Sequence, residues 1–211
     1  VSRVAWSAFH PLVLSEVPMC PKPMVTKAIR DAAIEFCERT AIWKDTQEYP
    51  VGLDAEYEFE GDSESIVHRI DSAKIVNGPD LEIESPERVD ELYPSWRDGT
   101  LAGQPAVLTQ LAPRTFHLVP APSSDMILTL GVALKPAKGS QYTDSWLHEE
   151  YEEAIAAGAL ARLLSMPRKS WTSTSDAATF AAVFNDRIAG GNLRAAKAFG
   201  RAPLRVRAQF M

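Results

Sequence analysis

The chain has 211 residues, 45% of them hydrophobic and 24% charged, with a formal net charge of −6. That is long enough to bury a real core and is ordinary for a globular protein, so a disordered or low-complexity chain is excluded. No run approaches the ~18 apolar residues that a membrane-spanning helix needs, and the first residues lack the continuous apolar stretch of a signal peptide, so intracellular synthesis and no membrane partner are expected.

The charge is unevenly spread. Residues 1–160 carry 13 Lys/Arg against 26 Asp/Glu, whereas residues 161–211 carry 9 against 2. Such asymmetry points to two different partner surfaces, or to a basic end that meets something acidic.

Residues 1–22 hold Pro11, Pro18 and Pro21 among Trp6, Phe9, Leu12, Val13, Leu14 and Val17. Proline at that density predicts an extended arm, which either covers the core or docks on a neighbouring subunit. Trp6 and Phe9 are its inter-subunit candidates.

A single domain is expected over residues 23–199. It opens with an amphipathic helix over 23–40, with Pro23 in the first turn and Val25, Ile29, Ala32, Phe36 and Thr40 on one face. Cys37 falls on the apolar side as a buried, inert thiol. With only Cys20 besides, no disulfide framework is implied.

Residues 46–136 read as β-rich. Ala55, Tyr57 and Phe59 alternate with glutamates, and stretches 65–70, 73–76, 81–84, 106–111, 115–119 and 126–134 continue the style between Gly/Pro turns. One or two helical turns are expected over 86–93. An antiparallel sandwich or small barrel follows, giving an α+β fold in which helices from both chain ends pack with it.

Two C-terminal helices are predicted, over 145–166 and 174–199. The first starts acidic at Glu149, Glu150, Glu152 and Glu153, is capped by Thr143 or Asp144, carries Arg162 near its end and stops before Pro167, an order that suits the helix dipole. Gly190-Gly191 are expected to kink or end the second. A basic tail, 200–211, closes the chain.

Chemistry-bearing motifs are sparse. His10, His68, His117 and His148 share no ligand spacing, and no HExxH, phosphate-binding loop or nucleophile elbow is present, so neither metal, cofactor nor enzymatic activity is expected. The acidic clusters motivate a small enzyme only weakly, because carboxylates in a first helical turn are dipole-favoured in any case. Arg194, Lys197, Arg201, Arg205 and Arg207, with Phe199 and Phe210, motivate a nucleic-acid-contacting alternative.

Several segments together resemble the head-to-tail adaptor (connector) proteins of tailed bacteriophages. They are Cys20 to Thr40 with Trp43, Phe116-His-Leu-Val-Pro-Ala-Pro122, Ala154 to Leu164 with Gly158-Ala-Leu-Ala-Arg162, Pro167-Arg-Lys-Ser-Trp171, and Phe184 to Ala198. The resemblance implies a structural virion protein of the neck, made in the host bacterial cytoplasm. It implies a homo-oligomeric ring, usually twelve-fold, below the portal, which continues the DNA ejection channel and docks the next neck or tail protein. It places the portal contact in the C-terminal segment, with Arg194, Lys197, Arg201, Leu204, Arg205, Val206, Arg207 and Phe210 as candidates. Glu149 and Glu152 join Trp6 and Phe9 as inter-subunit candidates.

Overall fold

A computed structural model describes residues 2–59 and 62–196. The chain begins with β1 (Arg3–Ala5), a 3-10 turn (Trp6–Phe9), α1 (His10–Glu16), α2 (Lys22–Thr40), β2 (Lys44–Val51), β3 (Glu56–Glu58), β4 (Ser65–Ile75) and β5 (Asp80–Ile83). It continues with α3 (Pro86–Leu92), a 3-10 turn (Trp96–Asp98), β6 (Ala102–Gly103), β7 (Val107–Thr109), β8 (Thr115–Val119) and β9 (Ala121–Pro122). The last elements are β10 (Met126–Pro136), β11 (Tyr142–Asp144), α4 (Ser145–Leu164) and α5 (Thr174–Ala196). The class is α+β, as expected. The expectation is one domain over residues 23–199; among the described residues the chain forms two compact units, one running up to Ile42 with Ser63–Ser65 and resuming at Lys135, the other of Trp43–Asp62 and Ile66–Leu134.

The second unit is a curled seven-stranded sheet, a half-barrel in the order β2-β10-β4-β5-β7-β8-β3. Alternation builds it. Along β10, Leu128, Leu130, Val132 and Leu134 point into the core, and Tyr49, Ile70, Leu108, Phe116 and Leu118 meet them. The stretches expected at 65–70 and 73–76 are one strand, β4. The sheet is not wholly antiparallel, because β5 pairs with β7 in parallel, Ile83 opposite Leu108. Parallel neighbours need a crossover rather than a hairpin, and α3 lies in that connection. Helix α3 starts where Ser85 accepts the Arg88 backbone N–H and Pro86 fills the first turn.

From α3, the Asp90 carboxylate accepts hydrogen bonds from Trp96 Nε1 at 2.7 Å and from Arg97 Nε and Nη2 at 2.8 and 2.9 Å. The Arg97 bonds, then the Trp96 bond, hold the Asp90 carboxyl below its usual range. A lowered folded pKa means that the clamp's contribution is present above the unfolded value, ~3.9, and is lost as pH falls through the folded one. Carboxyl-resolved NMR titration is therefore expected to give Asp90 a midpoint below ~3.9, with the Trp96 indole signal moving in step; an ordinary midpoint refutes the clamp.

The first unit is helical. Its α2 and α4 run antiparallel, with Gly158 against Ala32 and the Tyr151 ring 4.9 Å from that of Phe36. Helix α5 returns along α4, bringing Phe184 against Gly158. Ala28, Ile29, Ala32, Ala33, Phe36 and Cys37 of α2 are buried with Ile155, Ala159, Leu160 and Leu163 of α4. The apolar stripe of α2 and the buried Cys37 thus stand as read.

Residues 1–22 depart from the extended arm. They form β1, paired antiparallel with β11, then the 3-10 turn and α1. Pro11 sits in the first turn of α1, where its missing N–H costs nothing. Trp6, Phe9, Val13 and Val17 recur at helical spacing and are buried inside the unit. Asp144 occupies the N-cap of α4, but its side chain makes no capping bond, and the Ser145 N–H goes to the Ser2 carbonyl at 2.9 Å.

Gly190-Gly191 do not interrupt α5. A Cβ on Gly191 would lie 2.9 Å from Thr40 Cγ2 and 3.2 Å from Phe36 Cζ, whereas one on Gly190 meets nothing within 4 Å. Only Gly191 is required by packing. Gly190→Ala is expected to stabilise the unit by about 0.5–1 kcal/mol through helix propensity. Gly191→Ala gains the same term but must displace buried Thr40, so it is expected to destabilise by roughly 1 kcal/mol or more. Paired thermal melts read the opposite signs; equal shifts refute the assignment.

Candidate functional site

The charged end of the helical unit is built where the first turns of α4 meet the last turns of α5. Helix α4 bends at Tyr151, whose φ of −132° and ψ of 16° are not helical. The bend carries Glu149, Glu150, Glu152 and Glu153 along one wall of a groove of about 540 Å³. Asp186, Arg187, Gly190, Gly191 and Arg194 of α5 form the other wall. Those α5 residues recur at three- and four-residue spacing, and the absence of a side chain at Gly190 keeps the groove open.

Two ion pairs span the walls. Arg187 reaches Glu153 at 3.0 Å and Arg194 reaches Glu150 at 2.8 Å. Both are solvent-exposed, so each contributes at most about 1 kcal/mol. The Arg194 guanidinium also lies 5.9 Å from the centre of the Tyr151 ring. Burial pushes the Tyr151 phenol up, and the nearby Arg194 charge opposes that shift.

The expected inter-subunit candidates separate. Trp6 donates to the Ser140 carbonyl at 3.1 Å, Phe9 meets the His148 ring edge-on at 4.7 Å, and both side chains are buried. Neither offers a surface that another subunit can touch in this fold. Glu149 is exposed on the groove wall; Glu152 is half-buried, with its carboxylate 3.4 Å from His148 Nε2.

Of the expected portal contacts, Arg194 lies in this acidic groove. Lys197, Arg201, Leu204, Arg205, Val206, Arg207 and Phe210 lie outside the described residues. Apart from Arg194, the α5 wall of the groove is not among the candidates, nor is the exposed pair Arg168 and Lys169. The wall was legible in the spacing of Arg187, Gly190, Gly191 and Arg194; the Arg168-Lys169 corner shows only as adjacent cations after a helix-ending proline.

Chemically, the groove presents mixed charge with carboxylates in excess, which suits a basic protein surface. Among the described residues, no group of three or more His, Cys, Asp or Glu side chains is placed to hold a metal ion. No helix of the described residues is long and apolar enough to cross a membrane.

A model of the family described as SU10 adaptor protein matches residues 20–207 of the chain. Comparison with curated proteins finds no match.

Proposed function

The chain belongs to the SU10 adaptor protein family, a family of phage adaptors, and from that premise we propose that it assembles as a homo-oligomeric ring beneath the portal. A structural adaptor role follows from the family itself, which is generally non-enzymatic. In the finer reading, the ring continues the channel through which double-stranded DNA passes and offers its far face to the next neck or tail protein. The family match over residues 20–207 carries this reading. The uneven charge agrees with it, since a protein held between two different neighbours needs two different surfaces. The segment with Lys197, Arg201, Leu204, Arg205, Val206, Arg207 and Phe210 is assigned to the portal, on its basic and alternating apolar character.

Native mass measurement of the purified chain, alone and mixed with the portal, tests the assignment. A ring or a stable portal complex is expected, and a monomer that never binds portal overturns it. Replacing Arg201, Arg205 and Arg207 with Ala is expected to weaken portal binding by about tenfold or more. If the same variant instead loses DNA affinity and flattens its salt dependence, the basic end is a nucleic-acid contact.

A further inference from the structure

The helical unit carries unpaired charge of opposite sign at its two ends. At one end is the α4–α5 groove, where Arg187 and Arg194 engage Glu153 and Glu150. Glu149 and Asp186, also lining it and both exposed, have no ion-pair partner among the described residues. Tyr151 lines the groove as well, nine-tenths buried, with the Arg194 guanidinium beside its phenol. The groove thus offers two free carboxylates.

At the other end, α2 begins and α4 gives way to α5. Lys22, Arg168 and Lys169 are exposed there and are likewise without an ion-pair partner among the described residues. The corner is pre-shaped. The Thr172 hydroxyl donates to the Met166 carbonyl at 2.5 Å and accepts the Lys169 N–H at 3.1 Å, while Arg168 sits at a φ of 60°. Because α2 and α5 both run antiparallel to α4, the two charge sets are separated by roughly the 15 residues from Glu149 to the end of α4, about 20 Å. They are too far apart to neutralise one another within a chain, where exposed charges beyond ~8 Å are screened at physiological salt.

From this polarity we infer that the acidic α4–α5 groove of one copy receives the basic Arg168–Lys169 corner, with Lys22, of the next copy. Two different patches on opposite ends of the same unit make a heterologous contact, the kind that generates a ring when the rotation closes. The inference rests on the proposed ring and supplies a contact for it. Arg168 and Lys169 bring long cationic side chains to Glu149 and Asp186.

Charge exchange in the full chain tests it. One variant carries Glu149→Lys and Asp186→Lys, a second Arg168→Glu and Lys169→Glu, and a third all four. All four positions are exposed, and circular dichroism checks that each variant folds. In sedimentation velocity near 0.15 M salt, each double variant is expected to weaken self-association by about tenfold or more, and the quadruple variant to recover to within about threefold of the original chain. Three variants that all assemble like the original overturn the inference and leave the ring standing. Loss with the groove variant alone, the corner variant being silent, also overturns it and assigns the groove to another occupant such as the chain's own basic C-terminal segment. An original chain that stays monomeric at every concentration overturns ring and contact together.

Discussion

Gly158→Ala is expected to lower the stability of the helical unit by about 1–3 kcal/mol, and Gly158→Leu to prevent its three long helices from packing. Helix propensity argues the other way, favouring Ala over Gly by about 1 kcal/mol inside a helix. Packing decides. A Cβ at position 158 would lie 2.8 and 2.9 Å from Phe184 Cε2 and Cδ2 and 3.0 Å from Ala32 Cβ. Those obstacles belong to α5 and α2, so a shift of α4 away from one helix drives it toward the other. Neither can yield cheaply, because Ala32 is fully buried and the Phe184 ring is 4% exposed. Thermal denaturation of Gly158→Ala checks the sign, with roughly 2–4 °C lost per kcal/mol for a chain of this size. Adding Phe184→Leu should return part of that loss, since it withdraws the ring atoms a methyl would strike; additive losses would show that the crossing is not the cause.

What was legible in the sequence followed from local rules. Pro23, Pro86 and Pro167 mark helix boundaries that the chain respects, because a missing N–H is harmless in a first turn and intolerable further on. The stripe of Val25, Ile29, Ala32, Phe36 and Thr40 is buried as a face, and the strands at 115–119 and within 126–136 follow their alternation. The same rules misled at the N-terminus. Proline density predicts an extended arm there, whereas Trp6, Phe9, Val13 and Val17 recur at helical spacing, and the spacing prevails because Pro11 is the only proline inside that stretch. Gly190-Gly191 looked like a break because propensity ignores what lies beside the helix, and Thr40 and Phe36 fill the space that a side chain at 191 would take. Pairings between distant residues were not legible. Nothing local to Ile83 says that Leu108 will lie beside it in parallel, and nothing near Glu150 announces Arg194. The groove is built from such pairings, so the sequence points only to its acidic wall and to Arg194.

In the sheet unit, Phe116→Ala is expected to cost about 3–5 kcal/mol and to release β3 from the sheet. Phe116 is fully buried, with its ring centre 5.4 Å from Tyr49, 5.5 Å from Tyr57 and 5.2 Å from Phe59. Truncation removes the common partner of three rings and leaves a cavity that stiff neighbours collapse into only partly. The loss is not evenly shared. Strand β3 is three residues long and lies at the end of the sheet order, where among the described residues it pairs with β8 alone, Tyr57 opposite Phe116. Its anchors are the stacked ring pair and the Tyr57 hydroxyl, which donates toward the Gly52 and Asp54 carbonyls at 3.0 and 2.5 Å. Without the ring beneath it, Tyr57 loses its apolar seat while the hydroxyl bonds remain, and those reach the loop before β3 rather than the sheet. Hydrogen exchange should therefore show amides 56–59 opening far more readily in Phe116→Ala, with those of β10 affected least because β2 and β4 flank that strand on both sides. Phe116→Leu keeps most of the volume and should cost about half as much. Protection at 56–59 that survives Phe116→Ala would mean that backbone pairing alone holds β3, which three residues at a sheet edge are too few to achieve.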